Sequence, residues 1–368
     1  MLLNGLGEVI SRSVPSSAGF ADLFTGSGAV ACHVGENFDV PVKAFDLQSF
    51  AVALADGVVG RDKPVTDPGW LEQWLDAGLA AASSSTIWED ACEIQNALSL
   101  VNLPEQVTEA RSLAADSEFG FCRAYGGYYF SPRQATLMGA LRANLPEDKP
   151  HRKLALAALI ATASNCAAAP GHTAQPFSPT ATAGPFLVEA WKRVPADVLK
   201  SKVGALASRH AVRSGKSEVC EASEAAGTLS DGWLAFVDPP YSSVHYSRFY
   251  HVLESLSRGE VGDVTGAGRY PSAEDRPASD YSITTRAKAA FENLFTQLSA
   301  VGAKVIVTFP ANGASNGITG SALREMAAVD FRIVEEKVSS RFSTMGGNSS
   351  HREARQDAVE LILSLSPR

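Results

Sequence analysis

Residues 233–241 read Trp-Leu-Ala-Phe-Val-Asp-Pro-Pro-Tyr. An apolar run wide enough for a buried strand stops abruptly at Asp238, Pro239, Pro240 and Tyr241. The polar residues therefore fall at the carboxyl end of that strand, the edge where ligands sit in open α/β sheets. Each proline fixes φ and removes a backbone N–H, so the turn offers acceptors without competing donors. Asp238 and the Pro239 carbonyl can together accept both hydrogens of a planar exocyclic amine, and Tyr241 can stack on the ring that carries it. An amine held in this way has its nitrogen lone pair available for attack on an electrophilic methyl group. No covalent intermediate is needed, and so no nucleophilic Cys or Ser. A plainer reading makes Asp238 a cap for the next helix. The rest of the chain weighs against it.

A second motif lies near the amino terminus. Residues 18–24, Ala-Gly-Phe-Ala-Asp-Leu-Phe, read as a short buried strand and run into Thr25-Gly26-Ser27-Gly28-Ala29-Val30-Ala31. Glycines at 26 and 28 let the backbone turn tightly and approach a ligand with no Cβ in the way. A second apolar stretch, residues 40–45, ends in Asp46, a carboxylate well placed to accept from ribose hydroxyls. Alone, Gly26-x-Gly28-x-x-Ala31 with Asp46 also fits a dinucleotide fingerprint. No Lys-Ser/Thr pair closes the loop, so it is not a P-loop. A hydride-transfer enzyme has no use for Asp-Pro-Pro-Tyr, whereas a methyl donor with an amine acceptor uses both features.

Asp-Leu-Phe-x-Gly-x-Gly at 22–28 together with Asp-Pro-Pro-Tyr at 238–241 resembles the amino-methylating DNA methyltransferases, specifically the adenine-N6 family that uses S-adenosylmethionine. The resemblance covers residues 17–50 and 215–366 and matches the middle loosely. It implies a Rossmann-like α/β methyltransferase fold: a mixed seven-stranded sheet with helices on both faces, plus a mostly helical insertion. It carries Asp22, Phe24, Gly26, Gly28, Asp46 and Asp238 to cofactor binding, and Asp238, Pro239, Pro240 and Tyr241 to the target amine. By family position Glu221 lies near the cofactor adenine. The implied substrate is duplex DNA with a flipped adenine, and the implied setting is a restriction-modification system with a possible partner. Many relatives carry a basic cofactor contact before the first helix. Here no Lys or Arg precedes Arg12, so that contact is missing, replaced or supplied by the terminal amine.

Composition agrees with a globular enzyme. The chain has 368 residues, 45% of them hydrophobic and 20% charged, enough for one large core and a smaller domain. Five cysteines without Cys-x-x-Cys pairs predict neither a zinc site nor a disulfide framework, and point to the reducing cytoplasm. No signal peptide is expected, and the Ala-rich tract 154–169 is broken by Thr, Ser and Asn, which predicts a buried helix rather than a membrane span. The net charge of −8 requires any DNA contact to be a local basic face. Lys200, Lys202, Arg209 and Arg213 fall in a stretch with seven basic residues and a single acid, Asp197. A phosphate-tracking patch and a solvated helix face are equally good readings of it. His245, Tyr246, Arg248 and Tyr250 follow the catalytic loop, where they either clamp an extruded nucleotide or pack as a helix start.

These anchors divide the chain into a catalytic domain, 1–50 with 215–368, and a helical insertion over 51–214 that holds the target-recognition region. The loops at 125–132 and 170–177 are polar and aromatic, either approaching bases or simply packing. Residues 258–283, rich in Gly, Pro, Ser and Asp, predict a mobile segment ordered on DNA. Residues 331–339 and 358–365 predict a closing antiparallel pair with an exposed tip. Cytosine-N4 methylation, an RNA or protein amino-methyltransferase, and a non-catalytic DNA-binding subunit remain alternatives; a dehydrogenase is more distant.

Overall fold

The computed structural model describes residues 5–67, 69–311, 314–343 and 355–368. The chain forms two compact units: Met1–Asp62 with His210–Tyr246 and Ala278–Arg368, and Lys63–Arg209 with Ser247–Pro277.

The first unit is built on seven strands: β1 (Gly19–Asp22), β2 (Val42–Asp46), β3 (Lys216–Val219), β4 (Trp233–Val237), β5 (Lys304–Pro310), β6 (Phe331–Ser343) and β7 (Arg355–Pro367). Their order across the sheet is β3-β2-β1-β4-β5-β7-β6. The first five run parallel; β7 lies antiparallel between β5 and β6. The central strands are short and buried along their length, as parallel strands covered by helices must be. Helices Ala222–Gly227, Ala287–Ala300 and Gly320–Ala327 pack together, and Phe291, Phe295, Leu298 and Leu323 join Val305, Val307 and Leu363 of the sheet in one core. Helices Ala29–Asn37 and Ser49–Val59 pack on each other and on β2. The sheet is thus mixed, mostly parallel and flanked by helices, compatible with a Rossmann-like methyltransferase fold. The antiparallel closing pair forms as expected. Most of the tip, 344–354, lies outside the described residues, as do residues 1–4, where the terminal amine falls.

The second unit is helical, with the tract over 154–166 inside the buried helix Lys149–Cys166. No helix among the described residues is long and apolar enough to cross a membrane. Trp70 and Trp74 stack at 6.1 Å, and the Trp74 indole donates to the Leu141 carbonyl at 3.0 Å, which makes the pair core. Ser131 and Gln134 close a reciprocal capping box on helix Pro132–Ala143.

This unit also claims a segment that the sequence reading placed in the catalytic half. Helix Ser247–Arg258 buries Phe249, His251, Val252, Leu253 and Leu256 and packs against helices Gly120–Tyr125, Pro132–Ala143 and Lys149–Cys166. Nor is 258–283 left without structure. Val264–Thr265 pairs with Tyr270–Pro271, the Tyr129 hydroxyl donates to the Gly268 carbonyl at 2.9 Å, and Arg269 donates to the Ala124 carbonyl at 2.8 Å. A polar composition tolerates order here because partners elsewhere in the unit satisfy the loop's backbone.

Candidate active site

The two motifs leave the sheet side by side. β1 and β4 are neighbours in the register Asp22↔Phe236, and the Leu23 amide donates to the Phe236 carbonyl at 3.0 Å. The glycine turn and the Asp-Pro-Pro-Tyr loop therefore emerge from the carboxyl ends of adjacent strands.

The turn is held from inside. Asp46, ending β2, accepts from the Gly26 amide with Oδ2 and from the Gln48 amide with Oδ1, each at 2.9 Å. Gly26 has φ +52°, and a Cβ there would meet nothing closer than the Phe24 carbonyl at 3.8 Å. Gly28 has φ +76° and lies against the Ala55 backbone, where a Cβ would approach to 3.2 Å. One glycine leaves space over the turn; the other lets helix Ser49–Val59 close on it. Asp22 is only 1% exposed and accepts from the Phe24 amide at 3.3 Å. Burial, reinforced by the charges of Asp238 and Asp46, pushes its carboxyl up to about 8.

Asp238 is partly buried at the end of β4. Its Oδ1 accepts from the Thr308 hydroxyl of β5 at 2.7 Å and from the Tyr241 hydroxyl. Burial pushes the carboxyl up to about 7; the Thr308 hydrogen bond pulls it down, and the nearby Glu360 of β7 raises it. Among the described residues nothing donates to Oδ2 or to the Pro239 carbonyl. The Tyr241 ring lies edge-on to Phe309 at 5.5 Å.

The rest of the loop is tied to the segment after β5. Buried Asn316 donates to the carbonyls of Pro240 at 3.2 Å and Tyr281 at 2.9 Å, and accepts from the Ile318 amide. The Ser315 hydroxyl accepts from the Ser243 amide and donates to the Tyr241 carbonyl. Sequence reasoning missed Thr308, Ser315 and Asn316, because nothing local marks a residue whose partner lies about 70 positions away.

Glu221 caps helix Ala222–Gly227, its Oε2 accepting from the Ser223 amide at 2.7 Å and the Glu224 amide at 3.2 Å. Tyr281, also unforeseen, stands edge-on to Phe24 at 5.0 Å; burial first, then the Glu221 charge, hold its phenol well above the usual range. A ring from the 278–283 stretch thus joins Phe24 and Glu221 beside the glycine turn.

The basic candidates fall in both units. Lys200, Lys202 and Arg209 belong to the second unit and Arg213 to the first. Lys200 pairs with Glu72 at 3.1 Å, and Arg213 with Asp39 at 3.3 Å. Lys202 is half-buried, and Arg209 is exposed. The residues after the loop are divided in the same way. His245 and Tyr246 are in the first unit, both half-buried, with His245 Nδ1 buried and without a partner among the described residues. Arg248 and Tyr250 are in the second, where Arg248 lies over the Tyr270 ring at 4.4 Å and Tyr250 kinks its helix with φ −127°. Packing also accounts for the loop at 125–132. Tyr125, Tyr129 and Phe130 are fully buried, and Tyr128 sits under Arg111 and Arg269.

No family model matches the chain. Over 69 residues it is 38% identical to the modification methylase LlaI of Lactococcus lactis subsp. lactis, a match covering 18% of this chain and 11% of that protein.

Proposed function

We propose that this chain is a DNA methyltransferase that uses S-adenosylmethionine to methylate the exocyclic N6 amine of a flipped adenine. The observation that carries the reading is the pair of undonated acceptors, Asp238 Oδ2 and the Pro239 carbonyl, at the end of the strand beside the glycine turn. They match the two hydrogens of an aromatic amine and leave its lone pair unengaged.

The residues present fit a nucleoside cofactor. The space over Gly26 would be filled by a Cβ, and Asp46 can accept ribose hydroxyls while holding the turn. Gly26, Gly28 and Asp46 would hold the cofactor, with Phe24 and Glu221 toward its base, while Asp22 acts from beneath by fixing the Phe24 amide. When bound, S-adenosylmethionine supplies an electrophilic methyl group. Asp238 must be ionised to accept from the amine, and accepting draws electron density toward nitrogen. The ring carrying the amine lies against Tyr241. A base inside a duplex cannot reach this edge, so it must be unpaired at a cost of a few kcal/mol. Stacking on Tyr241, about 1–3 kcal/mol, offsets much of that. Lys200, Lys202, Arg209 and Arg213 are the candidates for phosphate contact, Lys200 and Arg213 exchanging Glu72 and Asp39 for it, with His245, Tyr246, Arg248 and Tyr250 as further candidates. The likeness to a modification methylase supports a place in a DNA-modification system, with or without a restriction partner.

Mass spectrometry of nucleosides from duplex DNA treated with protein and S-adenosylmethionine tests this. N6-methyladenine is expected; N4-methylcytosine, or methylation confined to RNA or protein, overturns the assignment. DNA binding with no methylated product and no cofactor binding by calorimetry makes the chain a binding subunit. Asp238→Ala is expected to abolish turnover, and Tyr241→Ala to weaken DNA capture while leaving cofactor affinity unchanged.

A further inference from the structure

We infer that Thr308 is a positioning residue for the proposed transfer: its hydroxyl fixes Asp238 Oδ1, so that Oδ2 and the Pro239 carbonyl face the substrate amine as one two-acceptor unit. The inference rests on the reading of the Asp-Pro-Pro-Tyr loop as the amine site. Thr308 is fully buried in β5, which pairs with β4 on one side and β7 on the other. Its hydroxyl lies 2.7 Å from Oδ1, and the Tyr241 hydroxyl donates to the same oxygen. A carboxylate oxygen offers about two acceptor sites, so Oδ1 is filled by the protein itself. The carboxylate cannot rotate without breaking both bonds, and the remaining acceptor capacity is concentrated on Oδ2.

The same hydroxyl counters the surroundings electrostatically. Among the described residues, Asp238 faces Asp22 from β1, Glu360 from β7 and Tyr241 from its own loop. Both acids and the burial favour the protonated form, and a protonated Asp238 would donate where it must accept. The Thr308 hydrogen bond favours the ionised form. Tyr241 also donates to Oδ1 but lies in the loop that would carry the base, whereas Thr308 is buried within the sheet.

The test compares wild type, Thr308→Val, Thr308→Ala and Thr308→Ser in steady-state methylation across about pH 5–9, a range of about two units on either side of the Asp238 transition. Loss of a hydrogen bond to a charged group is expected to lower kcat about tenfold or more in Thr308→Val and Thr308→Ala. Cofactor affinity by calorimetry stays within about twofold, and the acid limb of kcat/KM moves to higher pH. Thr308→Ser restores kcat and returns the limb toward wild type. Near-wild-type kcat with an unmoved limb in the Val and Ala variants overturns the inference. So does a loss that Ser does not restore and that leaves the limb in place, since packing alone would then explain it. Should Thr308→Val not fold, the Ala and Ser profiles decide. Failure of the wild type to methylate any amine is a separate result: it removes the reading on which the inference rests, whatever the variants do.

Discussion

At the level of single residues, the two glycines of the turn differ in why they are needed. Gly26 and Gly28 both have positive φ, which costs an L-residue about 1–2 kcal/mol. At Gly26 that is the whole structural cost, because a Cβ would point into open space. At Gly28 a Cβ would also press on the Ala55 backbone at 3.2–3.3 Å, so helix Ser49–Val59 would have to move. Gly28→Ala is therefore expected to destabilise the fold by about 2–4 kcal/mol, combining backbone strain with overpacking. Gly26→Ala should remain within about 2 kcal/mol of wild type yet bind cofactor more weakly, because its methyl group enters the proposed cofactor space. Urea unfolding and calorimetry of the two variants separate these effects.

At the level of elements, the Asp-Pro-Pro-Tyr loop is stiff for reasons beyond its prolines. Prolines limit φ but donate nothing, so the loop needs amides and hydroxyls from elsewhere to hold its carbonyls. Asn316 and Ser315 supply them from the segment between β5 and helix Gly320–Ala327. Asn316→Ala leaves buried carbonyls of Pro240 and Tyr281 and the Ile318 amide without their partner. A loss of about 2–4 kcal/mol in urea unfolding is expected, along with lower turnover as the loop slackens. Helix Ser247–Arg258 shows the opposite relation between local pattern and outcome. Its aromatic and histidine content fitted a nucleotide clamp and a packed helix start alike, and Phe249 and His251 face inward. Burial among the rings of Tyr125, Tyr129 and Tyr270 pushes His251 down to about 4, so it stays neutral at physiological pH.

At the level of the whole molecule, the buried carboxyls would set the proposed activity and the stability in opposite directions. Asp22 is pushed up to about 8 and Asp238 to about 7, against about 3.9 in an unfolded chain. Between pH 4 and 8 the native state therefore holds protons that the unfolded state has released. Stability from these groups is fully present below about pH 4 and is lost as pH rises through 7 and 8. The proposed methyl transfer requires ionised Asp238, so it would gain over the same interval. Ligand-free wild type should thus show a Tm that falls between pH 5 and 8.5 more steeply than that of Asp22→Asn, which lacks one of the two protons. Parallel slopes in thermal melts of the two proteins would contradict the assignment of a raised Asp22.

The amino-acid sequence by itself determined the local devices: strands ending in Asp22, Asp46 and Asp238, a glycine turn, a proline-stiffened acceptor loop and a closing antiparallel pair. These follow from short-range rules of periodicity, φ preference and missing amide donors, which a linear text carries. It did not determine what surrounds them. Thr308 on Asp238, Asn316 under Pro240, Tyr281 against Phe24, and the transfer of 247–277 to the helical unit became visible only in the tertiary structure. The pairing of Lys200 with Glu72 and of Arg213 with Asp39 belongs with them. The physical reason is that hydrogen bonds and burial act through space. A hydroxyl 70 residues downstream has no sequence signature until the sheet brings its strand alongside.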